Sequence, residues 1–173
     1  MRFDLDHAAD ILSRTPAVLE SLLGGLPAEW ALGNEGEQTW SPYDVLGHLI
    51  HGERTDWIPR ARIILRHGES ETFEPFDRFA QFEASAGRSL EELLGTFAGL
   101  RAENIQSLKG LNITAEDLAR RGRHPELGSV TLGELLAAWV VHDLDHIAQI
   151  TRTLAKQYGE AVGPWEAYLS VLR

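Results

Sequence analysis

Three segments of this chain open with the same local signature, and that signature restricts the fold more than any other feature. Ser41-Pro42-Tyr43-Asp44, Ser89-Leu90-Glu91-Glu92 and Thr131-Leu132-Gly133-Glu134 each place a hydroxyl residue at a helix N-cap and an acid three positions on. The hydroxyl accepts from the N3 amide and the acid accepts from the cap amide, so two otherwise orphaned donors are satisfied. Pro42 suits the first helical position, where no internal hydrogen bond is lost. Behind each signature the apolar residues recur at three- and four-residue steps, the period of a helix with one buried face.

The second helix is predicted to run to about Arg66 with a kink at Pro59, which removes one internal hydrogen bond. The third carries the stripe Leu90, Leu93, Leu94, Phe97, Leu100, Ile105 and Leu108, and the last ends near Tyr158-Gly159. A further helix, Leu5 to Leu23, carries Ile11, Leu12, Val18, Leu19, Leu22 and Leu23. Pro16 interrupts it, either as a kink or as the N1 residue behind a Thr15 cap. Residues 24–39 read as loop. Residues 69–88 read as a crossover whose Phe73, Phe76, Phe79 and Phe82 anchor on the core, with a short helix near 77–84. Residues 114–117 open a short helical turn, and 120–129 form a second connection. The tail residues Trp165, Tyr168, Leu169 and Leu172 are expected to pack back on the bundle. With no strand alternation and no internal repeat, the fold class is all-α: one domain spanning 1–173, a four-helix bundle with long crossover connections.

Bulk properties exclude several functions. A net charge of −10 and a pI near 5.1 disfavour nucleic-acid backbones and anionic membranes. No apolar run approaches the roughly 20 residues of a membrane span, and the first residues lack a signal-peptide core. A cytoplasmic location is expected by elimination. Cysteine is absent, so a metal site must use His, Asp and Glu, and any thiol chemistry needs a substrate-borne thiol.

A helical wheel at roughly 100° per residue places several polar groups on or beside the core. On the last helix His142, His146 and Gln149 lie at one edge of the apolar face, and Asp143 lies near its centre. On the second, His48 lies at the edge, with His51 about 60° further out, while Glu53 and Arg60 fall inside the stripe. On the third, Arg101 falls inside, beside Phe97. His142 and His146 are one turn apart, a spacing at which two imidazoles hold one ion, and His48 is the natural third ligand. Three histidines with an open position suit a catalytic divalent metal. His51 is a competitor, and His7, His67 and His124 lie at helix ends or in loops. Glu53, Arg60, Arg101 and Asp143 are expected to form one internal ion-pair network, because unpaired buried charge is costly. Such a network, with Gln149, also orients ligands.

Trp40-Ser41-Pro42, then Gly47-His48-Leu49 and Glu53, and later His142-Asp143, His146 and Gln149 together resemble the DinB-like superfamily, also called YfiT-like. Thr15-Pro16, the Phe97 to Arg101 segment and the Gly128 to Thr131 approach also fit. The resemblance covers nearly the whole chain. It implies a four-helix bundle with crossovers, often dimeric, and a divalent metal, commonly zinc or nickel, on His48, His142 and His146. The neighbouring His51 departs from the pattern. Some relatives are transferases or isomerases that use thiols such as mycothiol or bacillithiol. The expected function is therefore a metal-dependent hydrolase or low-molecular-weight-thiol S-transferase acting on a small molecule, with a homodimer as the expected assembly. The alternatives are a dimeric bundle that binds metal or a small ligand without turnover, and a bundle without metal.

Overall fold

A computed structural model of the chain describes residues 3–173. Four helical columns form the bundle: α1 (Leu5–Leu23), the broken pair α3 (Pro42–Thr55) and α4 (Trp57–His67), α6 (Leu90–Gly110) and α7 (Leu132–Lys156). α1 packs on α6 and α7, and α3 packs on the same two helices, so α1 and α3 face each other diagonally. All three capping boxes form, at Ser41, Ser89 and Thr131. The second column breaks at Asp56 (φ −104°, ψ −71°), three residues before Pro59, which has no N–H to offer the carbonyl of Thr55. α1 behaves differently. It starts from an Asp4 cap and runs unbroken through Pro16, so Thr15 is not a cap.

The apolar core falls into two halves. One gathers Leu12, Trp57, Ile64, Phe73, Leu136 and Trp139. The other gathers Leu19, Leu46, Leu49, Leu93, Phe97 and Ile150. Buried Thr15, Glu53, Arg101 and Asp143 belong to neither half. No helix among the described residues is long and apolar enough to cross a membrane.

Four expectations need correction. The 24–39 loop contains a short helix, α2 (Ala28–Leu32). The second connection contains a hairpin, β1 (Arg121–His124) antiparallel to β2 (Gly128–Thr131), with Arg121 opposite Thr131. In the crossover Phe73 is in the core and Phe76 is half-buried, whereas Phe79 and Phe82 are 62% and 42% exposed. In the tail Trp165 and Tyr168 are 70% and 81% exposed; the Ser170–Leu172 turn lies against α7.

The crossover and hairpin are fastened to the second column by close backbone approach. The short helix α5 (Ala80–Ser85) sits on α3 at Gly47, where a Cβ would stand 2.6 Å from Ser85 Oγ. Phe73 N donates to Arg123 O (2.9 Å). A Cβ at Gly122 would lie 2.6 Å from Ile64 Cγ1 and 2.9 Å from Phe73 Cζ. Both neighbours are fixed core side chains, so Gly122→Ala is expected to cost about 1–3 kcal/mol through overpacking. Urea denaturation measures it, and a change within about 0.5 kcal/mol would show that the hairpin is loosely seated.

Candidate metal centre

α3 supplies His48 and α7 supplies His142 and His146. His142 Nε2 lies 3.0 Å from His48 Nε2 and 3.1 Å from His146 Nε2. Among the described residues these three form the group whose nitrogens could surround a single ion. His48 and His146 are buried and His142 is half-buried. Burial, and then the neighbouring His146, push the pKa of both His48 and His142 down to about 3; burial also lowers His146. The rings are therefore neutral, the form that offers a lone pair.

Proton counting shows what the cluster lacks. His146 Nδ1 donates to Gln149 Oε1 (2.8 Å), so its Nε2 carries a lone pair. The two Nε2 contacts of His142 can then share only one proton between them. A cation satisfies all three nitrogens, since two nitrogens bound at ~2.0–2.1 Å to one ion stand roughly 3 Å apart. Three imidazoles are a donor set that suits zinc, nickel and similar borderline divalent ions. The residues thus fit the group. Nδ1 of His48 and Nδ1 of His142 have no partner among the described residues. The rings are held by packing instead: Trp57 meets His142 edge-on at 5.1 Å, and Phe76 meets His48 at 5.3 Å.

Beneath this cluster lies a charged hub. Arg101 donates from Nη2 to Glu53 Oε1 (2.9 Å) and Asp143 Oδ1 (3.0 Å), and from Nη1 to Asp143 Oδ2 (2.6 Å). Trp139 Nε1 donates to Glu53 Oε1 (2.9 Å), Asn104 Nδ2 to Glu53 Oε2 (3.0 Å), and Thr15 Oγ1 to Asp143 Oδ2 (2.6 Å). Burial alone would lower the Arg101 pKa, but Asp143 and Glu53 raise it overall. Pro16 completes the hub from α1. Its missing N–H leaves the carbonyl of Leu12 free, and Arg101 Nη1 donates to that oxygen at 2.8 Å. One guanidinium faces two carboxylates, so the hub is formally negative, and Asp143 adjoins His142 in the chain.

Arg60 departs from the expected network. It pairs with Asp56 (2.6 Å) one turn away and not with Glu53 or Asp143. His51 stands against Phe76 (4.9 Å) and outside the nitrogen cluster. His7 and His67 lie by Asp4 and Glu71. His124 Nδ1 accepts from Glu126 N and Leu127 N in the hairpin turn.

Two clefts open on the centre. One of about 620 Å³ holds His48, His142 and His146 with Asp56, Trp57 and Phe76. A second of about 750 Å³ leads from His146 past Trp40, Phe79 and Phe82 to Arg152. Asp56 was not legible as a cleft residue in the sequence; the only hint was its place just before the Pro59 break. Burial pushes its carboxyl up to about 6 despite Arg60 beside it.

No curated protein matches the chain. Among solved structures it is similar to YfiT from Bacillus subtilis, a probable metal-dependent hydrolase with an unusual four-helix bundle topology. The two share 23% identity over 90% of this chain and 87% of that one, with a TM-score of 0.76. It is also similar to TT2238, a four-helix bundle protein, at 20% identity over 86% of this chain and 98% of that one, with a TM-score of 0.61. The family description that matches residues 11–150 is the DinB superfamily, and that span of the 173 residues places this chain in it: the chain belongs to the DinB superfamily.

Proposed function

We propose that the chain is a metal-dependent enzyme acting on a small molecule, a hydrolase or a thiol S-transferase, with zinc or nickel held by His48, His142 and His146. The observation that carries this reading is the convergence of three neutral imidazole nitrogens on one point with too few protons to satisfy them. The likeness to YfiT, a probable metal-dependent hydrolase, points the same way.

When bound, a divalent ion supplies Lewis acidity that makes a water or a thiol a better nucleophile near neutral pH. The chain's own residues do the rest. Gln149 fixes the His146 tautomer so that Nε2 faces the cluster. Trp57 and Phe76 hold the other rings and keep water off their faces. Glu53 and Asp143 lie in the hub with Arg101 and line neither cleft, so neither is placed to exchange a proton with a bound substrate. Asp56 is the buried carboxyl among the described residues lining the histidine cleft. A group whose pKa lies near 6 accepts and returns a proton effectively near neutral pH.

The test is elemental analysis of chelator-free protein beside two variants. His48→Ala is expected to lose bound metal, at least a tenfold fall in occupancy, with helical circular dichroism retained. His51→Ala is expected to keep it. A parent protein that takes up no zinc, nickel or manganese would end this reading.

A further inference from the structure

Arg78 is the cation that the fold leaves free beside the metal centre. It lies just before α5 and is exposed. Among the described residues it enters no ion pair, whereas Arg60 is held by Asp56 and Arg152 by Glu35. Its charge reaches His48, where it helps disfavour protonation. It also stands where the two clefts join: Trp40, Arg78 and His146 line both.

The apolar surface next to it is equally unmatched. Phe79 and Phe82 stack with centroids 6.3 Å apart and planes 18° off parallel, and Phe82 meets Trp40 edge-on at 6.3 Å. Both phenylalanines stay exposed although the core is within reach of the same segment through Phe73. Exposed aromatic rings that line a cleft are a surface waiting for an apolar partner. In a chain of net charge −10, long-range fields repel anions, so selecting one requires a local cation. A guanidinium also matches a carboxylate through two parallel hydrogen bonds.

We propose that the second cleft binds a small carboxylate with an apolar body. The carboxylate lies on Arg78, the apolar part lies on Trp40, Phe79 and Phe82, and the reacting end points to the metal centre past His146. This rests on the metal reading above and names the class of substrate for that site.

The test compares two thiols that differ only by a para-carboxylate, 4-(mercaptomethyl)benzoate and benzyl mercaptan, titrated calorimetrically into the zinc-loaded full chain. The acid is expected to bind about tenfold tighter or better. Arg78→Gln is expected to cut that advantage to about threefold or less, with zinc content and benzyl mercaptan affinity unchanged. Arg78→Lys keeps part of the advantage, and high salt narrows it. Equal affinities in the parent, an advantage that survives Arg78→Gln, or no thiol binding by protein that holds zinc overturns the inference and leaves the metal reading standing. A chain that takes up no zinc, nickel or manganese overturns the metal reading, and the inference with it; one that loads only nickel or manganese is titrated with that ion, and the same outcomes decide.

Discussion

Arg101→Met is expected to lower stability by about 3–5 kcal/mol, the loss seen when one partner of a buried ion pair is removed. The substitution keeps most of the side-chain volume above Phe97 and Trp139 but strips the counterion from Glu53 and Asp143, both fully buried. It also leaves the Leu12 carbonyl without its donor. Thermal unfolding of a chain this size should then fall by on the order of 10 °C. Adding Glu53→Gln and Asp143→Asn to the same chain is expected to recover part of the loss, because the stranded charges are gone. A loss below about 1 kcal/mol for Arg101→Met would show that the hub is hydrated and that its charges are screened.

The metal-free protein is expected to lose stability steeply in mild acid. His48 and His142 have folded pKa values near 3, against 6.5 for an ordinary histidine. Between those values the unfolded chain binds more protons than the folded one, so stability falls as pH falls. The contribution is fully present above pH 6.5 and is lost as pH drops toward 3. Each imidazole is worth about 2 kcal/mol or more by pH 4.5. Asp56 runs the other way, because its folded pKa of about 6 lies above the ordinary 3.8, and a single carboxyl offsets part of the loss from two imidazoles. Urea midpoints from pH 7.5 to 4.5 measure the slope. A His142→Leu variant should be distinctly flatter. Equal slopes for parent and variant, or a flat parent profile, would show that the cluster protonates readily in place. Bound metal should shift the whole transition to lower pH, since protons must first displace it.

The parts of this architecture that were legible in the sequence are those fixed by neighbours a turn or less away. The capping boxes at Ser41, Ser89 and Thr131 are complete within four residues, so no tertiary information is needed to read them. The hub was legible because Glu53, Arg101 and Asp143 sit inside apolar stripes on unbroken helices, where the wheel holds. Arg60 is buried, as its place in the stripe predicts; what the wheel does not give is its partner, which is Asp56 one turn back and not Glu53 or Asp143. The hairpin escaped because its strands are four residues long and Arg121-Gly122-Arg123-His124 has no apolar alternation. Its seat is a close approach to Ile64 and Phe73, a property of tertiary packing. The meeting of His48 with His142 and His146 was an expectation of matching helix edges. Asp56 and Arg78 arrive at the same cleft from a helix break and a crossover, and neither leaves a periodic trace.

The polar layer also restricts how this chain can change length. Its members come from four helical columns: Thr15 and the Leu12 carbonyl, Glu53, Arg101 and Asp143. In an all-apolar bundle one helix can slide by a turn and still find hydrocarbon opposite. Here a slide of about 5.4 Å would carry a charge from its partner into one of the two apolar halves. Insertions and deletions within α1, α3, α6 or α7 on either side of this layer are thus barred in a way that those in the hairpin turn, residues 125–127, are not. The hub works as a length gauge: changes of length fall to the loops, while the helices keep count.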